Sequence, residues 1–253
     1  RGLRSLAEPR RFHSSWRPIA FYAGLVVIFI ALVSPLDALS SELFLAHMTQ
    51  HMLLMFFAAP AILLSAPVIP ILRGIPRPLR RRLFIPLFQA VGVRFLLRLI
   101  SRPLIAWPIF ITTLAAWHIP GAFEAALNSD ALHIVEHATF AAGAYLWWWN
   151  VIDPLPLRPN LSYIARVPYI FITIVPSFVL GAFLTFSPSA WFPTYVITAP
   201  RHGLTALEDQ QIGGVIMWIP GSFVIAAALL LALYYAVRKE QQSQLAHEQS
   251  QER

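Results

Sequence analysis

The chain has 253 residues, of which 57% are hydrophobic and only 12% are Asp, Glu, Lys or Arg. Soluble domains carry about a quarter charged residues, so an ordinary water-soluble fold is excluded, and this apolar content excludes disorder as well. With no cysteine there is no disulfide framework, thiolate metal site or thiol nucleophile, and the net charge of +7 reads as basic loops facing an anionic lipid surface, with no nucleic acid as partner.

A helix needs about 20 mostly apolar residues to cross a bilayer core. After a basic, polar segment at 1–17, the first such run covers about 18–34 and the second about 43–65. His47 and His51 sit in the first turns of that second run, with Met48, Met52 and Met55 beside them. The following loop, 66–102, carries eight arginines. Within it, 79–102 mixes Arg80–Arg82, Arg94 and Arg98 with Phe84, Leu87, Phe95 and Leu99, which predicts a cytoplasmic interfacial helix broken at Pro86. The third run, about 103–119, begins at Pro103 and closes at His118. The fourth, about 131–151, carries His133, Glu136 and His137 at its start. Trp147, Trp148 and Trp149 at its other end read as an interfacial aromatic belt. The fifth run, about 167–187, contains Pro176 and Gly181. The sixth, about 211–237, is opened by Asp209-Gln210-Gln211, has Gly213-Gly214 for close helix approach, and contains Pro220-Gly221 as a kink. Residues 238–253 form a polar tail. The expected fold is all-α: one polytopic membrane helical bundle over 1–253, with six spans. The chain begins with Arg1, and a preceding span would make seven.

The basic residues sort by side. Four segments on one side of a six-span topology (the N-terminal stretch, the 66–102 and 152–166 loops, and the tail) hold 18 of the 19 lysines and arginines. The positive-inside rule places those segments, and both ends of the chain, in the cytoplasm. Of eight histidines, His13 and His247 then fall on the cytoplasmic side, while His47, His51, His118, His133, His137 and His202 all fall toward the outer side.

His47/His51 and His133/His137 are i, i+4 pairs, so each pair shares one helix face. Two such faces at one membrane depth supply four imidazoles to one centre, and His118 can add a fifth ligand or support the others. Polar groups at membrane depth are costly and point to function. Histidine suits copper, zinc, iron or nickel, and the nearby thioethers of Met48 and Met52 tilt the balance weakly to copper(I), although methionine is also a common filler of apolar packing. His133-Ile-Val-Glu136-His137 matches the H-x-x-E-H pattern of one class of zinc peptidases, with Glu136 as general base; Glu136 can equally orient a histidine. Asp209 either caps a helix or reaches the metal, and His202 is a further candidate. The residue pattern leaves three alternatives open: a b-type haem protein, a zinc-dependent membrane hydrolase, and a purely structural partner.

Several segments, in order, resemble the multi-spanning CtaG assembly factors of caa-type cytochrome c oxidase. They are Ser34-Pro35-Leu36, His47-Met48-Thr49-Gln50-His51-Met52, Trp117-His118-Ile119-Pro120, Leu132-His133-Ile134-Val135-Glu136-His137 with Trp148-Trp149, and Asp209-Gln210-Gln211-Ile212-Gly213-Gly214 with Met217-Trp218. The resemblance implies a non-enzymatic protein of the bacterial inner membrane that helps copper reach the oxidase. Its partners would be cytochrome c oxidase subunits and a periplasmic copper donor. Members usually have seven spans, one more than is read here.

Overall fold

The computed structural model describes residues 14–152 and 160–251; the basic stretch through His13, Arg158 and Arg253 lie outside them. The described residues are helical, with no strand among them. In chain order the helices are α1 (Trp16–Val33), α2 (Pro35–Ser40), α3 (Phe44–Leu64), α4 (Val68–Gly74), α5 (Arg77–Gln89) and α6 (Val91–Ile100), followed by α7 (Pro103–Trp117), α8 (Pro120–Leu127), α9 (Asp130–Val151), α10 (Tyr163–Phe186), α11 (Pro193–Thr198) and α12 (Ala206–Gln251).

Four of these, α1, α3, α10 and α12, are long and apolar enough to cross a membrane, and the count rises to as many as six if two bent pairs each serve as one span. The pairs are α5 with α6, meeting at 62°, and α7 with α8, meeting at 76°. The chain is thus a membrane protein with four to six candidate spans among its described residues. Helix α9 covers the predicted 131–151 run and, at 22 residues, is about 33 Å long. It is absent from the apolar group because Asp130, His133, Glu136, His137 and Asn150 dilute its hydropathy.

One expectation about proline differs from what is seen. The 79–102 stretch turns at Ala90, whose backbone is extended, while Pro86 lies inside α5, directly after the π-wound residues Arg80–Phe84. Helix α12 is not broken at Pro220 and runs on through the polar tail to Gln251, the last described residue. The third run ends at His118, as expected, and Pro120 then starts α8 at 76° to α7.

Proline has a further effect in α3. Residues Leu53–Ala58 are wound as a π-helix, with Ala59 N–H donating to the Leu54 carbonyl. In i→i−5 winding the next donor would be residue 60, bonded to the Met55 carbonyl, but Pro60 has no N–H. The indole of Trp148 fills that place, its Nε1 donating to Met55 O at 2.9 Å. Trp147 is fully buried and donates to Thr173 Oγ1 at 2.9 Å. The predicted aromatic belt is therefore, for Trp147 and Trp148, an interior hydrogen-bonded pair.

In a bilayer, helices associate through close packing rather than expulsion from water. Helices α10 and α12 meet at glycines: a Cβ on Gly214 would sit 2.6 Å from Thr185 Oγ1, and one on Gly181 would sit 2.8 Å from Trp218 Cβ. Gly213 lies under the ring of Phe44. At this end of the bundle Phe44, Phe123, Phe192 and Tyr195 form an aromatic cluster, with Phe44 and Phe192 stacked at 4.9 Å.

A candidate metal centre of histidines and Glu136

The N-terminus of α3 is held from another helix. Asp209, in the first turn of α12, is fully buried, and its two carboxylate oxygens accept the backbone N–H groups of Phe44 at 2.7 Å and Leu45 at 2.9 Å. These are among the amides that a helix start leaves without partners, and the carboxylate also meets the positive end of the helix dipole. Its neighbours complete the fastening. Gln210 accepts from Trp191 N–H and donates to the Leu184 carbonyl, and Gln211 donates to the Ser187 carbonyl. Asp209 therefore sets where α3 begins, and with it the direction of His47 and His51, while the two glutamines tie α12 to the end of α10 and the loop after it.

Helix α9 starts at Ser129, whose Oγ accepts from Leu132 N–H, and presents His133, Glu136 and His137 on one face. That face meets α3. His47, His133, Glu136 and His137 each offer one ligand atom, and these atoms all lie within 4.8 Å of one another. The rings pack closely: His133 and His137 centroids are 4.3 Å apart, and His47 is 5.3 Å from His133. His51 completes the group, its ring 4.4 Å from His47 and 5.1 Å from His137. Glu136 Oε1 lies 3.5 Å from His47 Nε2 and 3.4 Å from His51 Nε2, inside ion-pair range.

His47 is oriented by a residue that the sequence did not flag. The Tyr195 hydroxyl donates to the Ser40 carbonyl at 2.8 Å, so toward His47 Nδ1, 3.4 Å away, its oxygen can only accept. The proton then sits on Nδ1 and the Nε2 lone pair turns to the cluster, which is how metal-binding imidazoles are commonly fixed. Several buried atoms here have no hydrogen-bond partner: Nε2 of His47, His133 and His137, both ring nitrogens of His51, and both oxygens of Glu136. Buried polar atoms left in this condition cost roughly 1–3 kcal/mol each, more when charged. A cation among them supplies the missing partner for nitrogens and carboxylate alike, so the donor set fits a metal ion.

The remaining candidates go elsewhere. His118 caps α7: its Nδ1 lies 2.7 Å from the Leu114 carbonyl, which can only accept, so in the neutral ring Nε2 carries the lone pair. That nitrogen faces Met48 Sδ at 3.4 Å. His118 and Met48 thus form a nitrogen–sulfur pair outside the four-residue group. Met52 lies against Gly221 of α12. His202 pairs with Glu42 at the protein surface, and Asp209 is consumed by its two amides, so neither joins the imidazole group.

An apolar helical bundle enclosing a buried cluster of histidines and one carboxylate defines a membrane protein with a candidate metal site. The chain belongs to the cytochrome c oxidase caa3 assembly factor family, whose sequence profile matches residues 1–239. It is 27% identical over 237 residues to the uncharacterized protein Mb0105 of Mycobacterium bovis and to the uncharacterized protein MT0111 of Mycobacterium tuberculosis. It is 25% identical over 236 residues to the uncharacterized protein ML1998 of Mycobacterium leprae. Each alignment covers 87% of this chain and 35% of the relative, so the chain spans about a third of their length. No solved structure matches it.

Proposed function

We propose that this protein binds a copper ion as cargo at the histidine cluster and supports its insertion into cytochrome c oxidase, acting without catalysis. One observation carries the reading: four imidazoles and Glu136 converge, all but His133 buried, with ring nitrogens and carboxylate oxygens that have no hydrogen-bond partner. Membership of an oxidase assembly family supplies the destination. The ligand set is His47, His51, His133 and His137 with Glu136, and Met48 with His118 forms an adjoining soft site. Thioether sulfur favours copper(I), and that pair is the reason for preferring copper to zinc. The cluster lies on the outer side of a bacterial inner membrane, following the distribution of arginines. Copper arrives from a periplasmic donor, and an oxidase subunit receives it.

Two other chemistries fit less well. Bis-histidine haem needs imidazoles on opposite faces of a macrocycle, whereas these rings pack against one another at 4.3–5.9 Å. A hydrolytic zinc site keeps an open position for water beside its general base. Glu136 is instead fully buried within ion-pair range of His47 and His51.

The test is the metal content and optical spectrum of the detergent-purified protein after anaerobic copper(I) loading, beside a variant with His133→Ala and His137→Ala. Near-stoichiometric copper in the parent and its loss in the variant is the expected result. A Soret band would transfer the site to haem. A well-folded parent that takes up no metal would leave only a structural role in assembly.

A further inference from the structure

The imidazole cluster has an opening. A cavity of about 620 Å³ lies between α1, the Leu54–Ile62 part of α3, and α9. Most of its wall is aliphatic, and among the described residues its titratable lining is Asp37, Asp130, His133, His137 and Tyr145. No lysine or arginine among the described residues lines it. Asp130, His133 and His137 follow one another at i, i+3 and i+7 on one face of α9, so the three side chains step about 10 Å along the helix from its end toward the cluster.

Asp37 arrives from α2 and is held in place. Its Oδ1 accepts from Gln50 Nε2 at 2.9 Å, and the same amide nitrogen donates to the Ala31 carbonyl at 2.6 Å. Gln50 is fully buried on α3, between His47 and His51 in sequence. At the inner end His137 is 8% exposed, lines the cavity, and has an Nε2 with no hydrogen-bond partner.

We propose that this cavity is the path by which the metal cation reaches the cluster. Asp37 and Asp130 capture the cation at the mouth, and His133 hands it to His137. The proposal rests on the metal-binding reading above. A cleft with low-dielectric walls and charges of one sign concentrates the opposite charge and raises capture rates by about 10–1000-fold. The ligand order suits transfer: carboxylate oxygens hold a soft cation weakly, and imidazole holds it better. The ion therefore moves from weaker to stronger donors as it goes inward.

The experiment is stopped-flow loading of the full chain in detergent with copper(I) supplied as a weak complex, followed to endpoint copper content. Two variants are compared with the parent. One carries Asp37→Asn with Asp130→Asn; the other, Ala138→Trp, fills the cavity beside His137 without changing a charge. The expected result is loading slowed by about tenfold or more in both, with the salt dependence of the rate lost in the first and endpoint content still set by the histidines. Unchanged rates in both variants, with copper bound at the endpoint, overturn the path and leave the centre intact. A parent that binds no copper at the endpoint removes the centre and the path together. A variant that fails to fold is recognised by its elution profile, and the other then decides.

Discussion

Replacing Asp209 separates a structural anchor from a metal ligand. In the native protein its two oxygens accept one buried and one half-buried backbone N–H, at 2.7 and 2.9 Å. Hydrogen bonds to charged groups contribute about 1.5–3 kcal/mol, and an orphaned buried donor costs about 1–3 kcal/mol. Asp209→Ala should therefore destabilise the fold by about 3–4 kcal/mol, most of it at the buried Phe44 amide. Asp209→Asn keeps one acceptor and turns an NH₂ toward the second amide, so about half that loss is expected. The assay is thermal unfolding in detergent, read beside copper content at a temperature where both variants remain folded. The expected pattern is graded loss of stability, with copper still bound and released faster because the start of α3 has loosened three residues before His47. Two results would refute the reasoning. One is destabilisation below about 1 kcal/mol in Asp209→Ala. The other is a folded Asp209→Asn protein of unchanged stability that has lost its copper, which would make Asp209 a ligand.

Glu136→Gln keeps the size of the side chain and removes its charge; copper affinity measured by competition with a chelator should fall by at least about 10–100-fold, the loss that follows even when a group that only supports a metal's ligands is removed. Met48→Leu conserves volume in the core and should cost less than about 1.5 kcal/mol in unfolding experiments. It should also lower the preference for copper(I) over zinc in a metal-competition titration, and an unchanged preference would detach the His118–Met48 pair from copper chemistry. Gly214→Ala places a methyl 2.7 Å from the backbone nitrogen of Thr185, where neither helix can yield easily, and should lower the unfolding temperature by an amount matching about 1–3 kcal/mol. His202→Ala breaks only a partly exposed pair with Glu42, so copper content and stability should stay within about 1 kcal/mol of the parent.

The grouping of side chains at the candidate site was legible in the sequence to the extent that helical periodicity carries it. His47 with His51, and His133 with Glu136 and His137, share faces by spacing alone, and hydropathy placed both helix starts at one end of the bundle. What spacing cannot express is which partner satisfies each group. His118 stands at the same end as the other histidines. It is drawn off by the Leu114 carbonyl one turn back, because it closes a helix whose last carbonyls lack partners. Asp209 lies next to its own helix start yet caps a different helix, 165 residues away in sequence from the Phe44 amide it accepts. Tyr195 gave no signal, since its role depends on its hydroxyl reaching Ser40 and His47 together. The tryptophans near the end of α9 show the same limit. Composition places aromatics at an interface, and only the missing N–H of Pro60 explains why one of them is inside.

The π-wound turn in α3 also acts as a phase shifter. Relative to uninterrupted α-helix it takes up one additional residue, and one residue corresponds to about 100° of rotation. The half of α3 that bears the histidines is thereby turned independently of the half that packs on α1. Winding the same residues as ordinary α-helix, with none deleted, would leave the helix long and apolar. It would also swing His47 and His51 about a quarter-turn away from α9, so the centre would be lost by rotation alone while every one of its side chains remained in the chain.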